Sequence, residues 1–509
     1  MNVVHQFSAV AKQYPDRPAY IFMDQETTYS QLEENINRFA DSLVKLGIKK
    51  GDHIALILGN TPHFVIGMHG ALRIGATVIP VNPLYTSDEI RYILENGDVK
   101  AIITLDIFQP QMQQLIQLLP LIEHVILCET QPQQSPIQHE KMKSFMQLIM
   151  TGENIVHDVE LDEEDVAVIL YTSGTTGKPK GAMLTHKNIF SNARDVGTYL
   201  QYSQDDKVIA ALPMFHVFCL TVSLNAPILC GATVIIMPKF SPAEVFRVTN
   251  KYKATVFAGV PTMYNFLFQY SGGQVEHLQS LHLCISGGAS MPVALLHSFE
   301  KKFGVAVSEG FGLSEASPVT CFNPLDRPRK PGSIGTSVLN VENKVVDELG
   351  EEVPVGEVGE LIVRGPNVMK GYYKMPEDTN QALRDGWLYT GDLAKQDEEG
   401  YFYIVDRKKD MVLVGGYNVY PREVEEVLYN HEEIVEAAVI GQPDENYGEI
   451  VKCFIVVKDK SLNEADIIAY CKQHLAVYKV PSKIEFLEEL PKNTTGKILR
   501  RALRQAVTS

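Results

Sequence analysis

Short apolar runs alternate with stretches of helical periodicity along most of the chain. Residues 53–58 form one such run. Thr61 and Pro62 then carry the signals of a helix start, Gly75 closes that helix, and a second run occupies 76–81. The pattern recurs at 101–105, 124–128, 166–171, 207–212, 254–258 and 281–285. Runs this short and this continuously apolar are strands buried on both faces, and the helical stretches between them supply the cover. The pattern predicts an α/β fold with parallel sheets. Beyond about residue 330, runs at 341–346 and 359–363, punctuated by Gly350, Pro354 and Gly356, read as a small twisted β region. A dense charged run at 406–410 precedes a compact α+β unit: helix 421–430, strands 435–440 and 452–457, and helix 463–475. The expected division is a large N-terminal domain at 1–405, a hinge at 406–410 and a small mobile C-terminal domain at 411–509. No internal repeat interrupts this plan, and 109–138 is merely rich in Gln.

One stretch asks for a decision. Residues 217–237 carry no charge and are long enough to span a bilayer. They also hold Asn225, Pro227 and Gly231, so the reading is a core helix followed by a buried strand at 232–237. With no basic amphipathic helix in view, membrane contact is expected to be peripheral at most.

Composition narrows the class. The 509 residues are 45% hydrophobic and 21% charged, as in ordinary globular proteins, and imply roughly three compact lobes. Lys plus Arg number 46 against 62 Asp plus Glu, a net charge of −16 that repels phosphate backbones, so nucleic acid is not an expected partner. The seven cysteines are scattered, with no CxxC spacing, which argues against a disulfide framework or structural zinc and for the reducing cytoplasm. Residues 1–9 lack the basic-then-apolar order of a signal peptide.

The most informative motif is YTSGTTGKPKG at 171–181, directly after a buried run. Hydroxyls, glycines and two lysines in eleven residues suit a polyphosphate, although the same composition also makes surface turns. It is not a Walker loop, because only two residues separate Gly174 from Gly177-Lys178 where that motif needs four. GxGxxG, GxSxG and HExxH patterns, and Cys/His clusters with metal spacing, are all missing.

Six motifs in order carry a resemblance: the 171–181 loop, PMFH at 213–216, SGGA at 286–289, EGFGLSE at 309–315, DGWLYTGD at 385–392, and DRKKD with NTTGK at 406–410 and 493–497. Together they make the chain similar to the ANL superfamily of adenylate-forming enzymes, over essentially its whole length. Within it the chain most resembles bacterial medium- or long-chain fatty acid–CoA ligases. The resemblance implies two steps at one site. A carboxylate attacks the α-phosphate of ATP, giving acyl-AMP and pyrophosphate; coenzyme A then displaces AMP. It implies Mg²⁺ as cofactor and a small carboxylic acid, ATP and coenzyme A as partners.

It also implies roles for single residues. Thr172, Ser173, Gly174, Thr175, Thr176, Gly177 and Lys178 would cradle the β- and γ-phosphates, with Thr172 and Glu315 near the metal. Gly288, Ala289, Glu309, Gly310, Phe311 and Gly312 would form the adenine slot, and Ser314 would meet the α-phosphate. Phe311 stands where the family usually has Tyr, which keeps ring stacking and loses a hydroxyl. Asp392 would take both ribose hydroxyls beside Arg407. Lys497 would reach between the carboxylate and the α-phosphate. Lys409 would be the hinge about which rotation withdraws Lys497 and brings in Gly415 and Gly416 as a wall of the pantetheine tunnel.

His216 occupies the position that gates the acyl pocket in fatty and aryl acid ligases, where amino-acid adenylation domains typically have Asp. Val217, Phe218, Leu220, Val260, Met263 and the residues after Gly312 are apolar or small and suit an alkyl chain or an aromatic ring. A fatty acid is the expected substrate. A coumarate-like aryl acid, or an enzyme that loads a carrier protein, remains the alternative.

Overall fold

The alternating runs assemble into two large sheets that share a helical layer. The computed structural model describes residues 2–130, 139–172, 179–458, 462–493 and 496–508. Among the described residues one sheet has nine strands and the other eight. The first is parallel from Pro18–Phe22 through Thr233–Ile236, Lys207–Ala210, Val256–Gly259 and Leu283–Ser286 to Val307–Gly312. It then turns antiparallel at Val319–Phe322. The second is parallel across Met142–Ser144, His124–Cys128, Val99–Leu105, His53–Ile57, Thr77–Val81 and Val166–Thr172, and antiparallel at Lys180–Thr185. The helices Tyr29–Lys45, Pro62–Arg73 and His186–Tyr199 bury apolar faces between them, so that Ile54 and Val78 of one sheet share a core with Val208 and Ile209 of the other.

The expected α/β architecture is therefore present. The 171–181 motif follows a buried strand, as read, and strands Val166–Thr172 and Lys180–Thr185 pair antiparallel, with Thr172 opposite Lys180, so both ends of the motif lie side by side.

The uncharged stretch is a helix followed by strand Thr233–Ile236, as read from its breakers. Its helix is π-wound over Cys219–Asn225 before an α-helical turn at Ala226–Leu229. No helix among the described residues is long and apolar enough to cross a membrane. Helix Pro62–Arg73 starts at Thr61 as expected, but the Thr61 hydroxyl makes no capping bond.

A smaller sheet at Glu342–Val346, Gly359–Arg364, Trp387–Gln396 and Phe402–Arg407 follows. Beyond it lies the C-terminal unit, in which Ile434–Asp444 and Gly448–Val457 form the central hairpin. Helices Pro421–Tyr429 and Glu464–His474 bury Val424, Leu428 and Ile467 against one face of that sheet, while Leu503 of the last helix, Arg500–Thr508, packs with Ile440 and Phe454 on the other. This unit has its own core.

Candidate functional site

In open parallel sheets, ligands bind beyond the carboxyl ends of the strands. Five motifs meet there. PMFH follows Lys207–Ala210, SGGA straddles the end of Leu283–Ser286, EGFGLSE completes Val307–Gly312, and the 171–181 motif begins at the end of Val166–Thr172. DGWLYTGD comes in on Trp387–Gln396. They line a cavity of about 2110 Å³ that the C-terminal unit closes with Lys497. Thr172, His216, Gly288, Ala289, Glu309, Gly310, Phe311, Gly312, Ser314, Glu315, Asp392, Arg407 and Lys409 all line it. Ser173, Gly174, Thr175, Thr176, Gly177 and Lys178 lie outside the described residues.

Asp392 and Arg407 face each other on paired strands, with Arg407 Nε 3.5 Å from Asp392 Oδ1. Burial pushes the Asp392 carboxyl up, and the charges of Arg407 and Lys497 pull it back. Lys497 is held down to about 8, first by loss of hydration and then by the positive charge of Arg407. Arg407 and Arg500 act on its ammonium as cations, and Asp392 and Asp410 as carboxylates. His216 is lowered to about 4 by the same enclosure and by Lys497, so its imidazole is neutral at physiological pH. The Phe218 N–H donates to His216 Nδ1 at 3.3 Å, which leaves the ring proton on Nε2 as a donor.

The turn that carries Lys497 is tightly set. The Asn493 N–H donates to the Lys497 carbonyl at 2.8 Å, the Lys497 N–H to Asn493 Oδ1 at 2.9 Å, and Gly496 sits at φ +84°. A Cβ on Gly496 would come within 2.7 Å of Thr262 Oγ1 and 3.2 Å of Val260 Cγ2, so glycine is needed for the turn to lie on the large domain.

Glu315 accepts a hydrogen bond from the Tyr372 hydroxyl at 2.8 Å, a partner 57 positions away that the motif gives no hint of. Tyr372 also lies beneath Lys180, whose ammonium is 5.4 Å from the ring and pairs with Asp378. No cluster of three metal-ligating side chains exists among the described residues. One carboxylate and the Thr172 hydroxyl fit a hard cation that arrives with phosphates rather than one caged by protein.

Glu309, expected among the nucleotide contacts, is a strut. Its carboxylate accepts the Met291 N–H at 3.2 Å and the Gly332 N–H at 3.0 Å, and its carbonyl accepts the Asn323 N–H at 2.9 Å. Burial raises it to about 7.

The apolar side chains that line the cavity include Leu212, Phe215, Val217, Phe218, Val222 and Val319, with Val196 on helix His186–Tyr199 and Leu200 at its C-terminal cap. Of the expected pocket residues, Val217, Phe218, Val260 and Leu313 line the cavity, whereas Leu220 and Met263 lie in the core instead. Leu220 falls two positions from both Phe218 and Val222, on the side of the helix away from those cavity-lining residues.

Gly415 and Gly416 are absent from the cavity wall. They form the exposed turn between Val412–Val414 and Tyr417–Val419, at φ +56° and +88°. The C-terminal unit presents Lys497 to the site and turns this hairpin away from it.

Fold, cavity and motif order define an enzyme that handles an adenine nucleotide and an acid together. Residues 7–373 match the AMP-binding enzyme family and 423–497 its C-terminal domain, and the chain belongs to that family. It is 41% identical to the long-chain-fatty-acid–CoA ligase of Bacillus subtilis over 522 residues, covering 98% of this chain and 93% of that protein. MatB from Rhodopseudomonas palustris with ATP bound is similar at a TM-score of 0.92 and 32% identity, covering 99% of both chains. Against apo MatB the TM-score is 0.82 at the same identity and coverage. The arrangement here is thus nearer to the ATP-bound one.

Proposed function

We propose that the protein is an ATP-dependent, AMP-forming fatty acid–CoA ligase. The observation that carries this is one cavity lined both by Lys497, Asp392 and Arg407 and by apolar side chains that include Val196 of helix His186–Tyr199. The full-length likeness to a ligase named for long-chain fatty acids supports the same substrate.

In the first step a carboxylate oxygen bonds to the α-phosphorus and the bond to the β-phosphate oxygen breaks, releasing pyrophosphate. Lys497 lies between the two anions and offsets their repulsion, while Asp392 accepts from the ribose hydroxyls. Ser314 donates to the α-phosphate, and Phe311 stacks on the adenine held by Gly288, Ala289, Gly310 and Gly312. Ser173 to Lys178 belong to the phosphate loop in this reading. Glu315 and Thr172 would hold Mg²⁺ together with the phosphates, and the ion would supply charge neutralisation there. In the second step the thiol sulfur bonds to the acyl carbon, the carbon–oxygen bond to AMP breaks, and the thiol proton leaves to solvent. Residues 406–410, with Lys409 as pivot, let the small domain turn so that Gly415 and Gly416 flank the pantetheine arm. His216, neutral and donating from Nε2, gates the acyl branch. Seven free cysteines fit a reducing cytoplasm.

The test is pyrophosphate release from Mg-ATP over acids from acetate through octanoate and palmitate to coumarate and phenylalanine, with and without coenzyme A. Turnover that needs coenzyme A and peaks on an alkyl chain is expected. Turnover confined to aryl or amino acids would overturn the substrate.

A further inference from the structure

Helix Pro421–Tyr429 is the first helix of the small domain, and two of its side chains enter the large domain beside the adenine slot. Arg422 Nη1 donates to the Ile404 carbonyl at 2.5 Å, and Nη2 reaches the Gly332 carbonyl at 3.4 Å. Glu426, one turn on, accepts the backbone N–H of Val293. These contacts close a circuit around the segment that follows SGGA. Glu309 of the large domain holds the Met291 and Gly332 N–H groups, so the Gly332 amide is gripped by Glu309 on its N–H and by Arg422 on its carbonyl. Residues 291 and 293 are gripped likewise, from inside by Glu309 and from the small domain by Glu426.

The charges explain why docking matters. Glu309 is 5% exposed, and the cation that acts on it is Arg422. When the small domain turns away, Glu309 loses the Arg422 cation together with the weaker opposing charge of Glu426, and the Gly332 carbonyl loses its Arg422 donor. Docking of the domain and shape of the slot are therefore linked, and linkage is reciprocal: whatever tightens one tightens the other.

Resting on the ligase reading above, we infer that Arg422 and Glu426 are positioning residues for the adenylation step, transmitting closure of the small domain through Gly332, Glu309 and Val293 to the adenine slot. They touch no reacting atom. They set nucleotide affinity only while Lys497 is in the cavity, and they have no part in the thiol step.

The experiment uses full-length R422M, R422K and E426Q. It reads the ATP KM of acid-dependent ATP–pyrophosphate exchange, the conversion of supplied acyl-AMP to thioester, and amide hydrogen exchange in peptides over 287–293 and 330–334 with AMP present. In R422M the ATP KM is expected to rise about tenfold, with thioester formation from acyl-AMP unchanged and faster amide exchange in both peptides. E426Q should show the same split with the larger exchange effect at 287–293, and R422K should fall between R422M and the parent. In an E309Q background the R422M effect should shrink, because the two act through one contact. An unchanged ATP KM with unchanged exchange overturns the proposal, as does equal loss of both half-reactions. If R422M does not fold, E426Q decides by the same criteria. A parent enzyme silent on every fatty acid would refute the substrate reading alone, since the exchange measurement needs only AMP.

Discussion

Gly496 rests against Thr262 across the boundary between the domains: the Thr262 hydroxyl reaches the Gly496 carbonyl at 3.4 Å, and a Cβ on Gly496 would stand 2.7 Å from that same oxygen. The seating of Lys497 depends on this contact. G496A is expected to slow acyl-AMP formation by about tenfold or more while sparing conversion of supplied acyl-AMP, since a displacement of about 1 Å at a reacting group costs that much. T262A added to G496A should restore part of the loss. Both half-reactions measured on the two variants check this, and equal loss in both would remove the contact from the argument.

Lys497 is held down to about 8, so its charge falls within the working range. The charged form screens the two anions, and it is lost as pH rises through that value. The kcat/KM of the adenylation step is therefore expected to decline on the alkaline side with an apparent pKa near 8, reporting the free enzyme. In K497R the ionisation moves out of range, and whatever activity remains should be flat there. A decline of the same shape in K497R would assign it elsewhere.

The Tyr372 hydroxyl orients Glu315. Y372F is expected to raise the Mg²⁺ concentration for half-maximal adenylation by about tenfold, with little change in acid KM. A magnesium titration at saturating ATP measures it.

Val196 is one of the apolar residues that line the cavity, on a helix tied to strand Val319–Phe322 by two Asn192 bonds to Val319 at 2.8 and 3.1 Å. That wall is firm. V196F is expected to move the preferred acid to a shorter chain, leaving octanoate turnover in place while palmitate turnover drops, because added volume must be taken from the ligand space. A chain-length series decides it.

Gly416 is exposed, and a Cβ there meets nothing within 4 Å. G416L should accordingly leave pyrophosphate release intact and slow the thiol step, as read by single-turnover thioester formation from acyl-AMP.

Much of this was legible in the chain and some was not, for a physical reason. Alternation of buried runs with amphipathic stretches places strands and helices, and its runs at 207–212 and 281–285 end just before PMFH and SGGA, whereas the strand that leads into EGFGLSE is not among those runs. It says nothing about which element lies opposite. Tyr372 beside Glu315, Thr262 beneath Gly496, and Arg422 near Glu309 are pairings over 57, 234 and 113 positions, made by packing that leaves no local trace. Leu220 and Met263 show the same limit at short range. Both are apolar, and hydrophobicity alone does not choose between core and cavity wall.

In the proposed cycle one body would carry two working faces, of which the structure shows the Lys497 turn against the cavity and the Gly415–Gly416 hairpin off its wall. That would impose an order in time. Pyrophosphate would depart before the thiol is admitted, and the acyl-AMP waiting in between, a mixed anhydride open to attack by water, would be exposed only while the small domain turns.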